Sequence, residues 1–360
     1  MRLTFLTGTP ASVRQGSGTS VGIAVLRQAL ERLGHEVRLV TPRSSHAPFG
    51  LTAWRLGFNL ALAAHPPAVD DLTVGFDMDG FLLRGGEGRP YLASIKGVLA
   101  DELTFERGAT RRLLALQAWC EARNVRRAPL VVTTSRYAAQ RLAHHYAIAP
   151  HRLRLVPELI DLAGWQAALA AAEDVAVDGP TVLAVAHMYP RKSLDVLLRA
   201  LPLLPSHWQD LHLRLVGVGP EEQRLRALVR RLGLGRRVTF LGHVSRSRLA
   251  AEYRSCTFFC LPSRQEGFGI VFLEAMAAGK AVVACWAGAV PEIVRHGETG
   301  VLVHPADPLA LADAIAQLLD NPAQRAALGE AGREQVRAYD AALVAQRFLQ
   351  VAEEAAATAG

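Results

Sequence analysis

Long apolar runs, cysteine, lysine and aromatic side chains are all scarce in this sequence, and each scarcity removes a class of protein. Half of the 360 residues are hydrophobic, yet no run of about 18 apolar residues occurs, so no membrane-crossing helix is expected. The opening MRLTFLTGTP reads as a strand rather than a signal peptide, which predicts a cytoplasmic protein. Four cysteines, Cys120, Cys256, Cys260 and Cys285, show no metal-ligand spacing, and three of them lie in apolar strand-like runs. They are expected as reduced core residues. Aromatics make up only 6% and do not alternate with basic residues, which argues against a nucleic-acid groove. A complete dinucleotide fingerprint is missing as well. In the loop Gln15-Gly16-Ser17-Gly18-Thr19-Ser20 the third glycine's place is held by Val21, and in Gly217-Val218-Gly219-Pro220 it is held by Glu222.

What is present begins with arginine, 37 of them against 3 lysines. Residues 1–165 hold 20 Lys+Arg and 13 Asp+Glu, which leaves 20 of each for 166–360, so the whole excess of +7 sits in the N-terminal half. Arg107, Arg111, Arg112, Arg123, Arg126 and Arg127 gather around one predicted helix, 103–122. Such a face suits a phosphorylated acceptor or an anionic membrane surface. A solvated arginine face accounts for the same residues, and both readings stand. The length exceeds one ordinary core and fits two domains.

The order of elements predicts two parallel α/β sheets. Strand 2–6, the glycine loop, helix 21–33 and strand 36–40 make the first unit of this kind, and strands at 72–76, 91–95, 130–134 and 153–156 continue it. An Ala-rich stretch, 167–176, reads as a linker. Strands at 181–186, 213–216, 238–241 and 257–261 follow, and helices 309–320, 323–339 and 342–356 finish the chain.

The most informative stretch is 262–305, PSRQEGFGIVFLEAMAAGKAVVACWAGAVPEIVRHGETGVLVHP. A strand breaks at Pro262, a loop carries Glu266-Gly267-Phe268-Gly269, and a helix starts near Ile270. A helix start presents free N–H groups to an anion. Glu274 lies roughly 6 Å along the helix axis from Ile270, so two carboxylates frame that anion site. A molecule with hydroxyls at both ends and a diphosphate between them fits, and a nucleotide-sugar is one.

Here the sequence resembles glycosyltransferase family 4, retaining enzymes of the two-domain GT-B fold. The resemblance rests on Glu266 and Glu274 separated by the seven residues GFGIVFL, on the continuation EAMAAGKAVVAC that Glu274 opens, and on GAVPEIVRHGETGVLVHPADPLALADAI downstream. It implies two Rossmann-like domains facing across a cleft, 1–165 on the acceptor side and 166–340 on the donor side, with 341–360 crossing back to the first. Glu266 would hold the donor sugar's hydroxyls and Glu274 the ribose, with Gly267, Phe268 and Gly269 at the diphosphate. Lys192 matches the lysine that pairs with the leaving diphosphate. His187 stands where the family has arginine, Ala186 and Ser193 replace glycines, and Arg191 is a further cation beside them. An arginine is always charged, whereas histidine is charged only in favourable surroundings. Gly16 and Gly18 would face the donor diphosphate and the acceptor, and the backbone at Val244 would read the base.

The resemblance implies no cofactor and no metal, only a nucleotide-diphosphate sugar as donor and a sugar, glycolipid or small-molecule acceptor. Asp77-Met78-Asp79 invites a different reading, a carboxylate pair holding a metal–diphosphate complex. The Glu266 motif belongs to a metal-free fold, so these aspartates are expected to shape the inter-domain cleft. After the strand at 91–95 many family members keep a histidine, where this chain has Lys96, Asp101 and Glu102. Two other functions fit the same scaffold: a sugar-nucleotide epimerase or phosphorylase, and a nucleotide-sugar binder that has lost catalysis.

Overall fold

The computed structural model describes residues 1–9, 18–42, 50–83, 89–173, 175–176 and 179–358. They form two compact units, Met1–Leu159 with Asp340–Gly360, and Ile160–Tyr339.

In the first unit six strands are all parallel: β1 (Arg2–Leu6), β2 (Glu36–Val40), β3 (Leu72–Phe76), β4 (Tyr91–Ile95), β5 (Leu130–Thr133) and β6 (Leu153–Leu155). Their order is β2-β1-β3-β4-β5-β6, so the chain reverses direction across the sheet between β1 and β3. Alternate residues of β1 serve opposite faces. Leu3 and Phe5 join Val74 and Phe76 against two helices, Gly18–Arg32 and Ala341–Ala357, while Leu6 packs with Phe58 and Leu62. Phe5 lies 5.1 Å from Phe76 and 6.0 Å from Phe348, edge to face in both pairs. The last helix thus completes the core begun by the first strand. Arg154 also pairs with Glu354 on that helix.

Asp77 and Asp79 lie at the end of β3. Asp79 is fully buried and accepts from Gly8 N at 2.7 Å, Arg55 Nη2 at 2.7 Å and Asn59 Nδ2 at 2.9 Å. Three N–H donors within the first unit thus fix its carboxylate in place. Asp77 sits in the left-handed region, φ 52°, and takes the main-chain N–H of Lys96 at 3.0 Å. Burial pushes its pKa up to about 6 against the pull of Arg55. The Asp-x-Asp pair is therefore a fold element of this unit. Among the described residues no group of three or more His, Cys, Asp or Glu side chains is arranged to hold a metal ion.

In the second unit the strands are β7 (Thr181–Val185), β8 (His212–Val216), β9 (Val238–Gly242), β10 (Phe258–Leu261), β11 (Val282–Cys285) and β12 (Gly300–Val303). They too are parallel, in the order β12-β11-β10-β7-β8-β9. The order reverses between β7 and β10, and ligands of open α/β sheets bind beyond the strand ends at such a reversal. The stretch read as linker, 167–176, is helical as far as Ala171, within the helix Leu162–Ala171. Asp161 caps it by accepting from Gly164 N, and Trp165 anchors it, buried edge to face on Tyr253 at 5.7 Å. Its alanines favour helix as readily as linker, and the cap decides. All four cysteines are buried and free. Among the described residues no helix is long and apolar enough to cross a membrane.

Candidate active site

The two loops at the β7/β10 reversal build the site. After β10 the chain runs through Pro262 and Ser263 to Glu266, then to Gly269 and the helix Ile270–Ala277. Gly269 has φ 100°, and a Cβ there would stand 2.6 Å from the Phe272 ring, so only glycine starts this helix. No side chain caps it. Phe272 N turns back to Gly269 O at 3.0 Å, and the amides of Ile270 and Val271 stand at the helix start, where N–H groups lie free of the helix's own ladder.

After β7 the chain passes His187 and turns through a short helix, Pro190–Lys192. Lys192 Nζ donates to Glu266 Oε1 at 2.6 Å, and Ser263 Oγ donates to the same oxygen at 2.8 Å. Arg264 N donates to Arg191 O at 2.8 Å, which ties the two loops main chain to main chain. Glu266 is buried, and its Lys192 partner nearly so, with side chains 7% and 13% exposed. Burial alone would raise the Glu266 pKa. The cations of Lys192 and Arg191 and the hydrogen bonds from Lys192 and Ser263 outweigh it, so the carboxylate is held below its ordinary value.

Two glycine turns support this pair from behind. Gly288 has φ 57°, and a Cβ on it would lie 2.6 Å from Glu266 O and 2.7 Å from Glu266 N. Ala289 N donates to Glu266 O at 3.0 Å. The GAVPEIV segment is thus the floor under Glu266. Gly217, at φ 118°, and Gly219 lie where any Cβ would overlap the main chain of Ala186 and Met188, and Met188 N donates to Val218 O. That turn holds the loop bearing His187.

Glu274 projects half-buried from the helix. Tyr253 Oη donates to its Oε2 at 3.0 Å, and Trp165 Nε1 donates to its main-chain oxygen at 3.1 Å. Burial pushes its pKa up to about 7, opposed by Tyr253 and Arg246. His187 is half-buried, its ring 6.4 Å from that of Tyr189, over which the Arg191 guanidinium sits at 5.4 Å. Phe268 is buried edge to face on Tyr339 at 5.7 Å, so its ring is core and only its main chain faces outward chemistry. Val244 is half-buried one residue before Ser245, which caps the helix Arg246–Ser255. Gly16 lies outside the described residues. Gly18 is the first residue of a helix rather than part of the loop before it.

The structure therefore brings Lys192, Arg191, Glu266 and the Gly267–Gly269 turn together from two strands. Sequence reasoning missed three supports. Ser263 had a signal, three residues before Glu266 on the same turn. Gly288 had one in the GAVPEIV motif, whereas Tyr253 had none, being on another helix. In the first unit Lys96 Nζ is paired with buried Glu158 at 3.1 Å, and Asp101 accepts from Tyr137 and Arg141.

Comparison with known proteins gives the family. Residues 167–335 match the family of glycosyl transferases group 1. That stretch of the second unit belongs to it. Among curated relatives is the phosphatidyl-myo-inositol mannosyltransferase of Mycobacterium leprae, 44% identical over 168 residues, 46% of this chain and 44% of that protein. The D-inositol 3-phosphate glycosyltransferase of Corynebacterium glutamicum is 30% identical over 279 residues, 74% of this chain and 65% of that one. The matched part thus spans less than two thirds of either relative. Among solved structures, sucrose-phosphate synthase from Thermosynechococcus elongatus superposes with a TM-score of 0.83 at 26% identity over 99% of both chains. The two six-stranded parallel sheets are those of the GT-B fold.

Proposed function

We propose that this chain transfers a hexosyl group from a nucleoside-diphosphate sugar to a hydroxyl acceptor, without a metal ion and with retention of anomeric configuration. The observation that carries the reading is the Lys192–Glu266 pair at the sheet reversal, 2.6 Å apart beside an uncapped helix start. Breaking the sugar–phosphate bond builds positive charge on the sugar and negative charge on the departing diphosphate. Lys192 and the first amides of the helix Ile270–Ala277 are suited to the second charge, already oriented and largely out of water. Glu266, held ionised, accepts hydrogen bonds from the sugar's hydroxyls, and Glu274 does the same for the ribose. Arg191 and His187 supplement Lys192, and the main chain at Val244 meets the base. A leaving-phosphate oxygen takes the acceptor's proton on the face it departs from, so the new bond forms on that face and no protein base is needed.

The relatives' names mention phosphatidylinositol, inositol phosphate and sucrose phosphate, which favours a polyol, its phosphate or its lipid conjugate as acceptor. Incubating the chain with UDP-, GDP- and ADP-sugars and such acceptors, with and without a chelator, tests the reading. The expected product keeps the donor's anomeric configuration by NMR, and Glu266→Gln cuts turnover by about a hundredfold or more. Near-normal turnover in that variant overturns the assignment. Donor consumption without an acceptor would instead point to an epimerase or phosphorylase, and nucleotide binding without turnover to a binder.

A further inference from the structure

The helix Gly108–Arg127 carries an unusual exposed face. Arg112, Leu116, Trp119 and Arg123 follow one another at spacings of four, three and four, so they form a single stripe. Trp119 is 59% exposed, Leu116 42% and Leu113, beside the stripe, 50%. Arg107, Arg111 and Arg126 are exposed as well, and the helix's one carboxylate, Glu121, is fully buried. Every exposed ionisable group on this helix is therefore cationic.

Its neighbour, the helix Leu51–Ala64, has the complementary peculiarity. It packs beside the first helix through a Gln117–Thr52 hydrogen bond of 2.7 Å and through Leu56 against Cys120. Its single charged residue, Arg55, is buried, and it exposes Leu51, Ala53, Gly57, Leu60 and Ala61, with Leu60 at 62%. A helix facing only water would carry polar residues there.

We infer that these two helices form the surface by which the first unit docks onto an anionic lipid bilayer. The arginines meet headgroup phosphates, Trp119 lies at headgroup depth, and Leu116 and Leu60 enter the acyl boundary. Charge selects this occupant. A second copy would bring the same cationic face against itself in a two-fold contact, whereas an anionic leaflet is complementary to it.

The test is vesicle flotation of the full chain at low salt, with phosphatidylcholine alone and with phosphatidylglycerol added. Retention on the anionic vesicles only, lost as salt rises, is expected. Arg112→Glu changes two charge units at about a fivefold factor each, so binding weakens roughly thirtyfold. Trp119→Ala and Leu60→Ser weaken it several-fold, and Arg112→Gln, the milder change, falls between. All these side chains are exposed, so melting temperatures stay within about 2 °C of the parent. Failure to float with anionic vesicles, equal retention on neutral ones, or indifference to Arg112→Glu would overturn the inference. So would a shift in oligomeric state on Trp119→Ala without lipid, which would assign the face to a second copy.

Discussion

Glu274 stands apart from Glu266 although both are acidic residues on one short stretch. Cations hold Glu266 ionised, whereas burial with only a tyrosine hydroxyl and a more distant arginine leaves Glu274 protonated up to about pH 7. Between its ordinary value of 4.5 and about 7, the folded chain keeps a proton that the unfolded chain has released, so this group's contribution to stability declines as pH rises. For the ribose contact proposed above, the ionised form is the better acceptor. Nucleoside-diphosphate affinity should therefore rise as pH passes through about 7, and Glu274→Gln should flatten that profile; calorimetric titrations across the range would check it. Little of this contrast can be read in sequence. The spacing of the two carboxylates is visible there, but the Lys192–Glu266 contact spans 74 positions and depends on β7 and β10 being neighbours. Asp79 misleads for the same reason, since its donors come from Gly8 and from the helix Leu51–Ala64, both distant in sequence.

At the scale of elements, the turn into the helix Leu194–Ala200 is strained. Ser193 has φ 50° where the family pattern has glycine, and its buried Oγ has no hydrogen-bond partner among the described residues. A non-glycine residue in that region costs roughly 1–2 kcal/mol, and an unsatisfied buried hydroxyl adds to it. Glycine's greater freedom in the unfolded chain takes back up to about 1 kcal/mol. Ser193→Gly should thus stabilise the second unit by about 1 kcal/mol, a melting shift of about 2–4 °C readable by calorimetry. Most strands were legible because buried parallel strands leave short apolar runs, as in β10 and β11. The helix Leu162–Ala171 was not, because its alanine-rich core has almost no apolar periodicity. Nor was the exposure of Trp119, since which face of a helix meets solvent depends on what packs against the other.

Over the whole molecule, the first unit draws its core from both ends of the sequence. Phe348 is 1% exposed between the helix Gly18–Arg32 and β1, in one cluster with Phe5 and Phe76. Phe348→Ala should cost about 3–5 kcal/mol and lower the first unit's transition while sparing the second, which differential scanning calorimetry would resolve. A change that moved both transitions equally would contradict the division. Two parallel α/β sheets were legible from the succession of elements; an expectation for residues 341–360 came only from the family resemblance, because nothing local in an alanine-rich amphipathic helix names the sheet it will cover.

During synthesis this arrangement sets an order. Residues 160–339 are contiguous, so the second sheet can close while the ribosome is still at work. The earlier-made strands of the first sheet must wait, with Leu3, Phe5 and Phe76 covered on one face by the helix Gly18–Arg32 alone, until residues 341–357 emerge. The half of the chain made first is therefore the half that finishes last, and it is the one for which a chaperone on the nascent chain would matter.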